Sequence, residues 1–190
     1  MVQSAVNPSN YEHVKPFPDG SSPERDHLVN IIVETPRGTR NKYAFDVEIG
    51  LFQLQKTIPE GLQWPYDYGF IPGTLGEDGD PLDVLFLSDE PTFPGCYAQG
   101  RLLGVIRIEK NKKQNDRLLA CAKRNAGVSL STDPYEKVDD LPKPMLDSLC
   151  RFLVEYAEAA GADVQCSGVD GRKKALQAIR YGIAAFRKRK

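Results

Sequence analysis

The chain is poor in the side chains that bind soft or borderline metals. It has two histidines, His13 and His27, both near the N-terminus, and four cysteines, Cys96, Cys121, Cys150 and Cys166. No two cysteines share a C-x-x-C spacing, which argues against zinc. Any metal here is expected to be hard and oxygen-liganded, such as magnesium or manganese. With no signal peptide at its start, the chain reads as a cytoplasmic protein with reduced thiols. No apolar run reaches the length of a membrane span, so no membrane partner is expected. The net charge is −1, so no global field points to nucleic acid.

What is present is ordinary globular material. The 190 residues are 41% hydrophobic and 27% charged, enough for one core. Residues 1–26 carry Pro8, Pro16, Pro18 and Pro23 among Ser, Asn and Asp, and read as an extended N-terminal arm. Residues 27–190 read as a single domain. Strands are expected at Leu28–Glu34, Tyr43–Val47, Leu51–Lys56, Asp83–Leu87, Arg101–Ile108 and Leu118–Lys123, separated by Gly and Pro clusters. Short strands at close spacing suggest a small closed β-barrel. The last third changes period. Met145, Leu149, Phe152, Leu153 and Tyr156 recur at helical spacing, between Pro142–Pro144 and Gly161. A second helix runs from about Gly171, with Leu176, Ile179, Ile183 and Phe186 on one face. It closes on Arg187-Lys188-Arg189-Lys190, which suits a helix C-terminus and reads as a solvated tail. The class is α+β, with two C-terminal helices packed outside the barrel.

Asp78-Gly79-Asp80-Pro81-Leu82-Asp83 places three carboxylates within six residues. Like charges so close repel unless a cation lies among them. Pro81 favours an extended Asp80, and an extended stretch points Asp78 and Asp80 to one side. A D-G-D triplet also occurs as a plain solvated turn. A calcium EF-hand is excluded, because Leu82 and Asp83 stand where that loop needs an oxygen ligand and Gly.

This D-G-D-P-L-D run resembles the signature of the type I soluble inorganic pyrophosphatases. The resemblance extends to Ile32-Val33-Glu34-Thr35-Pro36, Asn41-Lys42-Tyr43, Trp64-Pro65-Tyr66-Asp67-Tyr68-Gly69-Phe70-Ile71-Pro72, Gly104-Val105-Ile106 and Asp140-Leu141-Pro142. It spans roughly residues 28–186 and implies an OB-type barrel. It also implies magnesium-dependent, with manganese possible, hydrolysis of pyrophosphate to two phosphates by a metal-activated water. On this resemblance Asp80 matches the base, and Asp78, Asp83, Asp80 and Glu34 match metal-binding positions. Lys42, Lys56, Tyr68, Arg117 and Tyr156 match residues that touch phosphate oxygens, with Lys56 and Arg117 exchanging the family's usual Arg and Lys. A homo-oligomer is implied, although the first C-terminal helix lacks the histidines often used at the family's subunit contact.

The chain departs from the family pattern at several places. Ala44 replaces an acid, Trp64 a Tyr, and Ala157 a phosphate-binding Lys. Lys110 and Asn115 stand where two metal-binding aspartates are usual. These acidic positions together carry about four more units of positive charge, which favours fewer metals. A one-residue slip would bring in Asp116 as a metal ligand. Lys110 either enters the site as a fixed cation or belongs to a solvated turn with Lys112 and Lys113. Two alternatives to pyrophosphate hydrolysis follow. One is action on an organic pyrophosphate or phosphate ester, in room opened at Ala44 and Ala157. The other is phosphate binding with little catalysis.

Overall fold

The structure is a computed structural model and describes residues 11–46, 48–122 and 135–189. The expected strand ends at Val47 and Lys123, the first ten residues of the arm and Lys190 of the basic tail lie outside them.

The fold is sheet-dominated and mixed, with two helices. The strands are β1 (Leu28–Thr35), β2 (Asn41–Asp46), β3 (Leu51–Thr57), β4 (Asp67–Phe70), β5 (Asp83–Leu87), β6 (Tyr97–Lys110), β7 (Lys113–Gln114), β8 (Arg117–Ala122) and β9 (Val164–Gly171). The helices are α1 (Lys143–Glu158) and α2 (Arg172–Arg189). Hydrogen-bonded neighbours run β1-β4-β5-β8-β6-β7. The 14-residue β6 also pairs back to β1, through Leu28↔Arg101 to Ile32↔Tyr97, and takes β9 along its second half. β2 and β3 form a separate two-stranded sheet.

The main sheet is buried on both faces, which accounts for its continuous apolar runs. Alternate residues of one strand enter different cores. Leu85, Leu87, Leu119 and Cys121 join Trp64, Phe152 and Leu153 on the α1 side. Val84, Phe86, Leu118 and Ala120 join Ala175 and Ile179 on the α2 side. The α1 face follows the expected period through Leu149, Phe152 and Leu153. On α2 the fully buried positions are Ala175, Ile179 and Gly182, while Leu176 and Ile183 pack at the edge. Gly182 is needed for closeness: a Cβ there would lie 2.8 Å from Leu82 and 3.1 Å from Thr74. Its carbonyl accepts the Leu75 N–H at 3.0 Å, so α2 seats the segment that leads into the carboxylate loop.

Three strands, β4, β7 and β9, were not expected from the sequence. β4 is only four residues long, and β9 reads VQCSGVDG, with little apolar content. Antiparallel pairing with β6 supplies what β9 lacks in local propensity. The thiol expectation is corrected: Cys150 and Cys166 form a disulfide that ties α1 to β9, and Cys96 and Cys121 stand outside it. The two residues are 16 positions apart and meet because α1 packs against β9.

Candidate active site

The carboxylate loop is a closed turn rather than the extended stretch expected. Gly76 N–H donates to the Asp80 carbonyl at 2.7 Å, and Gly79 takes φ +94°, a conformation open to glycine. Asp78 Oδ1 accepts the Asp80 N–H at 3.2 Å. The solvated-turn element of the motif is therefore real, but the side chains are also engaged from across the fold. Asp78 Oδ2 accepts the Asn115 amide at 2.6 Å.

Asp83 and Arg117 open β5 and β8, which run parallel and in register from Val84↔Leu118. Parallel neighbours present their first residues at the same edge, so carboxylate and guanidinium meet at 2.9 Å. Arg117 is also bound by the side-chain and backbone oxygens of Asn115. Its guanidinium carbon lies 5.8 Å from the centre of the buried Tyr68 ring. The Tyr68 hydroxyl is pushed well above the usual phenol range, chiefly by burial, against the charge of Arg117 and with that of Asp83.

Glu34 reaches this group through a β-bulge. Val33 pairs with Gly69 and Thr35 with Tyr68, leaving Glu34 as the extra residue in β1. It is buried, and its Oε1 accepts the Phe45 N–H at 2.8 Å. Burial raises its carboxyl to about 7; the Phe45 N–H opposes this, Asp83 adds to it, Lys42 opposes it and Asp80 adds. Asp80, although exposed as a residue, is also raised, first by partial desolvation of its carboxyl and then by Asp78 and Asp83, against the ammoniums of Lys42 and Lys110.

The cationic wall comes from the hairpin. Lys42 and Lys56 are direct cross-strand partners in β2–β3. Like charges in that relation repel, and an anion between them relieves the repulsion. Lys42 Nζ lies 5.8 Å from the Tyr68 ring centre, and Lys56 Nζ lies 4.6 Å from that of Tyr156. Trp64 bridges the two tyrosines, with ring centres 4.7 Å from Tyr68 and 5.1 Å from Tyr156. Its indole N–H is buried without a partner among the described residues.

Glu34, Lys42, Tyr68, Asp78, Asp80, Asp83 and Arg117 are thus brought together, with Lys56 and Tyr156 alongside. Asp116 is not. Its carboxylate accepts Arg107, the Ile108 N–H at 3.0 Å and the Gln114 amide at 2.6 Å. In the link between β7 and β8 the side chain of Asn115 turns to Asp78 and Arg117, and that of Asp116 turns away to Arg107. Sequence reasoning marked position 115 only by the aspartate it lacks and gave the Asn115 amide itself no part in the site, where it binds both Asp78 and Arg117. Nor does Ala157 open room, for it is buried in the same core cluster as Trp64 and Phe152. Asp67, inside the aromatic motif, is structural: it accepts the Arg37 N–H at 2.7 Å and the Thr92 N–H at 3.0 Å.

A hard divalent ion fits this donor set in one particular way. The donors are oxygens, and such an ion favours the charged forms of Glu34 and Asp80 that burial first, and neighbouring acids second, disfavour. Among the described residues no three acids converge closely enough to chelate a bare ion. An ion that keeps much of its water shell and uses one or two carboxylates is compatible with that spacing, which is the habit of magnesium.

Comparison with known proteins agrees with this arrangement. The family model described as inorganic pyrophosphatase matches residues 31–187. The inorganic pyrophosphatase of Thermus thermophilus is 34% identical over 179 residues, 92% of this chain and 98% of its own. That of Synechocystis is 35% identical over 129 residues, 68% of this chain and 74% of its own. The crystal structure of the Thermus thermophilus enzyme superposes with a TM-score of 0.79 at 33% identity, covering 91% of this chain and 98% of that one. A Neisseria gonorrhoeae inorganic pyrophosphatase shares the fold, with a TM-score of 0.83 at 24% identity over 94% of this chain and 99% of that one. With its motif residues gathered at one edge of the sheet, the chain belongs to the type I soluble inorganic pyrophosphatase family.

Proposed function

We propose that this protein hydrolyses inorganic pyrophosphate to two phosphates. One observation carries the reading: Glu34, Asp80 and Asp83 act on one another electrostatically at the same edge where Lys42, Tyr68 and Arg117 stand. An acidic half faces a cationic half, as a site that holds both a metal and a phosphate anion requires.

Magnesium, or manganese, supplies a Lewis acid and an acidified water when bound. Asp78, Asp83, Asp80 and Glu34 would hold it, one or two of them directly and the others through its water shell. Asp80 takes the proton of the attacking water, and its raised pKa brings it nearer to working pH than an ordinary carboxylate. Lys42 and Lys56 hold phosphate oxygens between them, and their cross-strand repulsion favours that anion. Arg117, Tyr68 and Tyr156 face the charge that builds on the leaving phosphate, and the buried Tyr68 hydroxyl remains a donor. Phosphate release from pyrophosphate with magnesium or manganese tests the reading. Folded protein that turns over with neither metal would reject it.

A pyrophosphate-sized substrate is supported over an organic one by the packing of Trp64 on Tyr156 above the buried Ala157. The ring of pairings through β1, β4, β5, β8 and β6 supports an OB-type barrel as one domain over residues 27–190, with 1–26 as its arm. Exposed Ile49, Leu51 and Phe93 support self-association, which sedimentation tests. No described helix is long and apolar enough to cross a membrane. We place the protein in the cytoplasm on the strength of its family. The Cys150–Cys166 bond weighs against a strongly reducing compartment, and a thiol count on protein from its own cells decides this.

A further inference from the structure

The acids of the site differ in what already holds them. Asp83 is paired with the Arg117 guanidinium at 2.9 Å, and Asp78 accepts the Asn115 amide at 2.6 Å. Asn115 in turn accepts Arg117. One unbroken run of donors therefore links Asp78, Asn115, Arg117 and Asp83. For Asp80 the opposing charges are the ammoniums of Lys42 and Lys110.

Arg117 is only 12% exposed in its side chain, and a guanidinium is always charged. Its charge is divided between Asp83 and the oxygens of Asn115. The amide passes that polarity on, presenting N–H to Asp78 where a carboxylate would present a second negative charge. An acid in this position would meet Asp78 at hydrogen-bond distance, and such a contact needs a cation between the two. Arg117 supplies a single positive charge, already shared with Asp83, against what would then be three carboxylates.

We propose that Asn115 and Arg117 together stand in for a divalent cation between Asp78 and Asp83, and that the amide of Asn115 holds the metal count of the site one below what an acid there would allow. This rests on the phosphohydrolase reading above. It makes Asn115 a residue that sets metal stoichiometry, acting through Asp78 rather than on substrate.

The experiment is a count of bound manganese per chain, without any phosphate compound, by the loss of the free Mn2+ electron paramagnetic resonance signal. Asn115→Asp is expected to bind one more ion than the unaltered chain. Asn115→Ala, which removes the hydrogen bond but adds no charge, is expected to leave the count unchanged. An unchanged count in Asn115→Asp overturns the proposal, and so does an extra ion in Asn115→Ala. If Asn115→Asp is too unstable for a count, its melting temperature is followed against Mn2+. A steeper rise than in the unaltered chain supports the proposal, and an equal one overturns it. Phosphate release on the same samples keeps the two readings apart. Absence of pyrophosphate turnover in the unaltered chain, with the expected ion counts, rejects the function and leaves the stoichiometry standing.

Discussion

Arg117 and Asp83 meet at 2.9 Å as the first residues of two parallel strands. Their partnership is fixed by strand register rather than by a flexible surface contact. Replacing Arg117 by Gln leaves Asp83 without its cation. The cost should be about 2 kcal/mol in urea unfolding, less than the roughly 3–5 kcal/mol of a fully buried pair because Asp83 keeps some solvent. Pyrophosphate turnover should fall on the order of 100-fold, the scale of losing one donor to developing charge.

Asp80 offers the opposite balance. It is exposed, and its backbone rather than its side chain closes the turn. Asp80→Asn should leave unfolding unchanged to within about 0.5 kcal/mol. Phosphate release should drop by about 100- to 10,000-fold, the range for a lost general base. A variant that unfolds normally yet retains full turnover would remove Asp80 from the chemistry.

Glu34 gives a pH signature. Its carboxyl is pushed up to about 7 in the fold, chiefly by burial, from an ordinary value of 4.5. A raised folded value favours the protonated form in the native state. Its stabilising share is complete below pH 4.5 and is lost as pH rises through about 7. At pH 8 the ionised group should cost on the order of 3 kcal/mol at most. Glu34→Gln can keep the bond from Phe45 without that penalty. In metal-free buffer the variant should gain on the unaltered chain from pH 5 to pH 8, and magnesium should narrow the gap. Parallel stabilities across that range would show that Glu34 titrates normally.

Trp64 is buried among Tyr68, Phe152 and Tyr156 with its N–H unpaired among the described residues. Trp64→Ala should cost about 3–5 kcal/mol, the usual range for a deleted core aromatic. Trp64→Phe should cost about 1 kcal/mol or less, because it also removes a donor whose isolation is unfavourable. Because Trp64 sets the position of the Tyr156 ring beside Lys56, the Ala variant should raise KM more than it lowers kcat.

Much of the scaffold was legible because burial patterns leave marks in sequence. Val84–Leu87 is apolar throughout because the two sheet faces enter different cores. The α1 stripe follows from one helix face packing on one sheet. β9 left no such mark, since its order comes from pairing with β6. The Cys150–Cys166 contact was equally silent, because it depends on how α1 lies against β9.

For the site, the sequence by itself determined the kinds of group available: an acid-rich turn at Asp78–Asp83, basic residues at Lys42, Lys56 and Arg117, and aromatic rings at Tyr68 and Tyr156. It also excluded a nitrogen- or sulfur-rich metal centre. Only the tertiary structure decided which of these groups meet. Asn115 and Asp116 are adjacent in the link between β7 and β8, yet the amide turns to Asp78 and the carboxylate to Arg107. A bulge aims Glu34, and parallel register joins Asp83 to Arg117. The reason is that residue chemistry is local, whereas distance and burial, which set charge and pKa, arise from pairings between strands far apart in the chain.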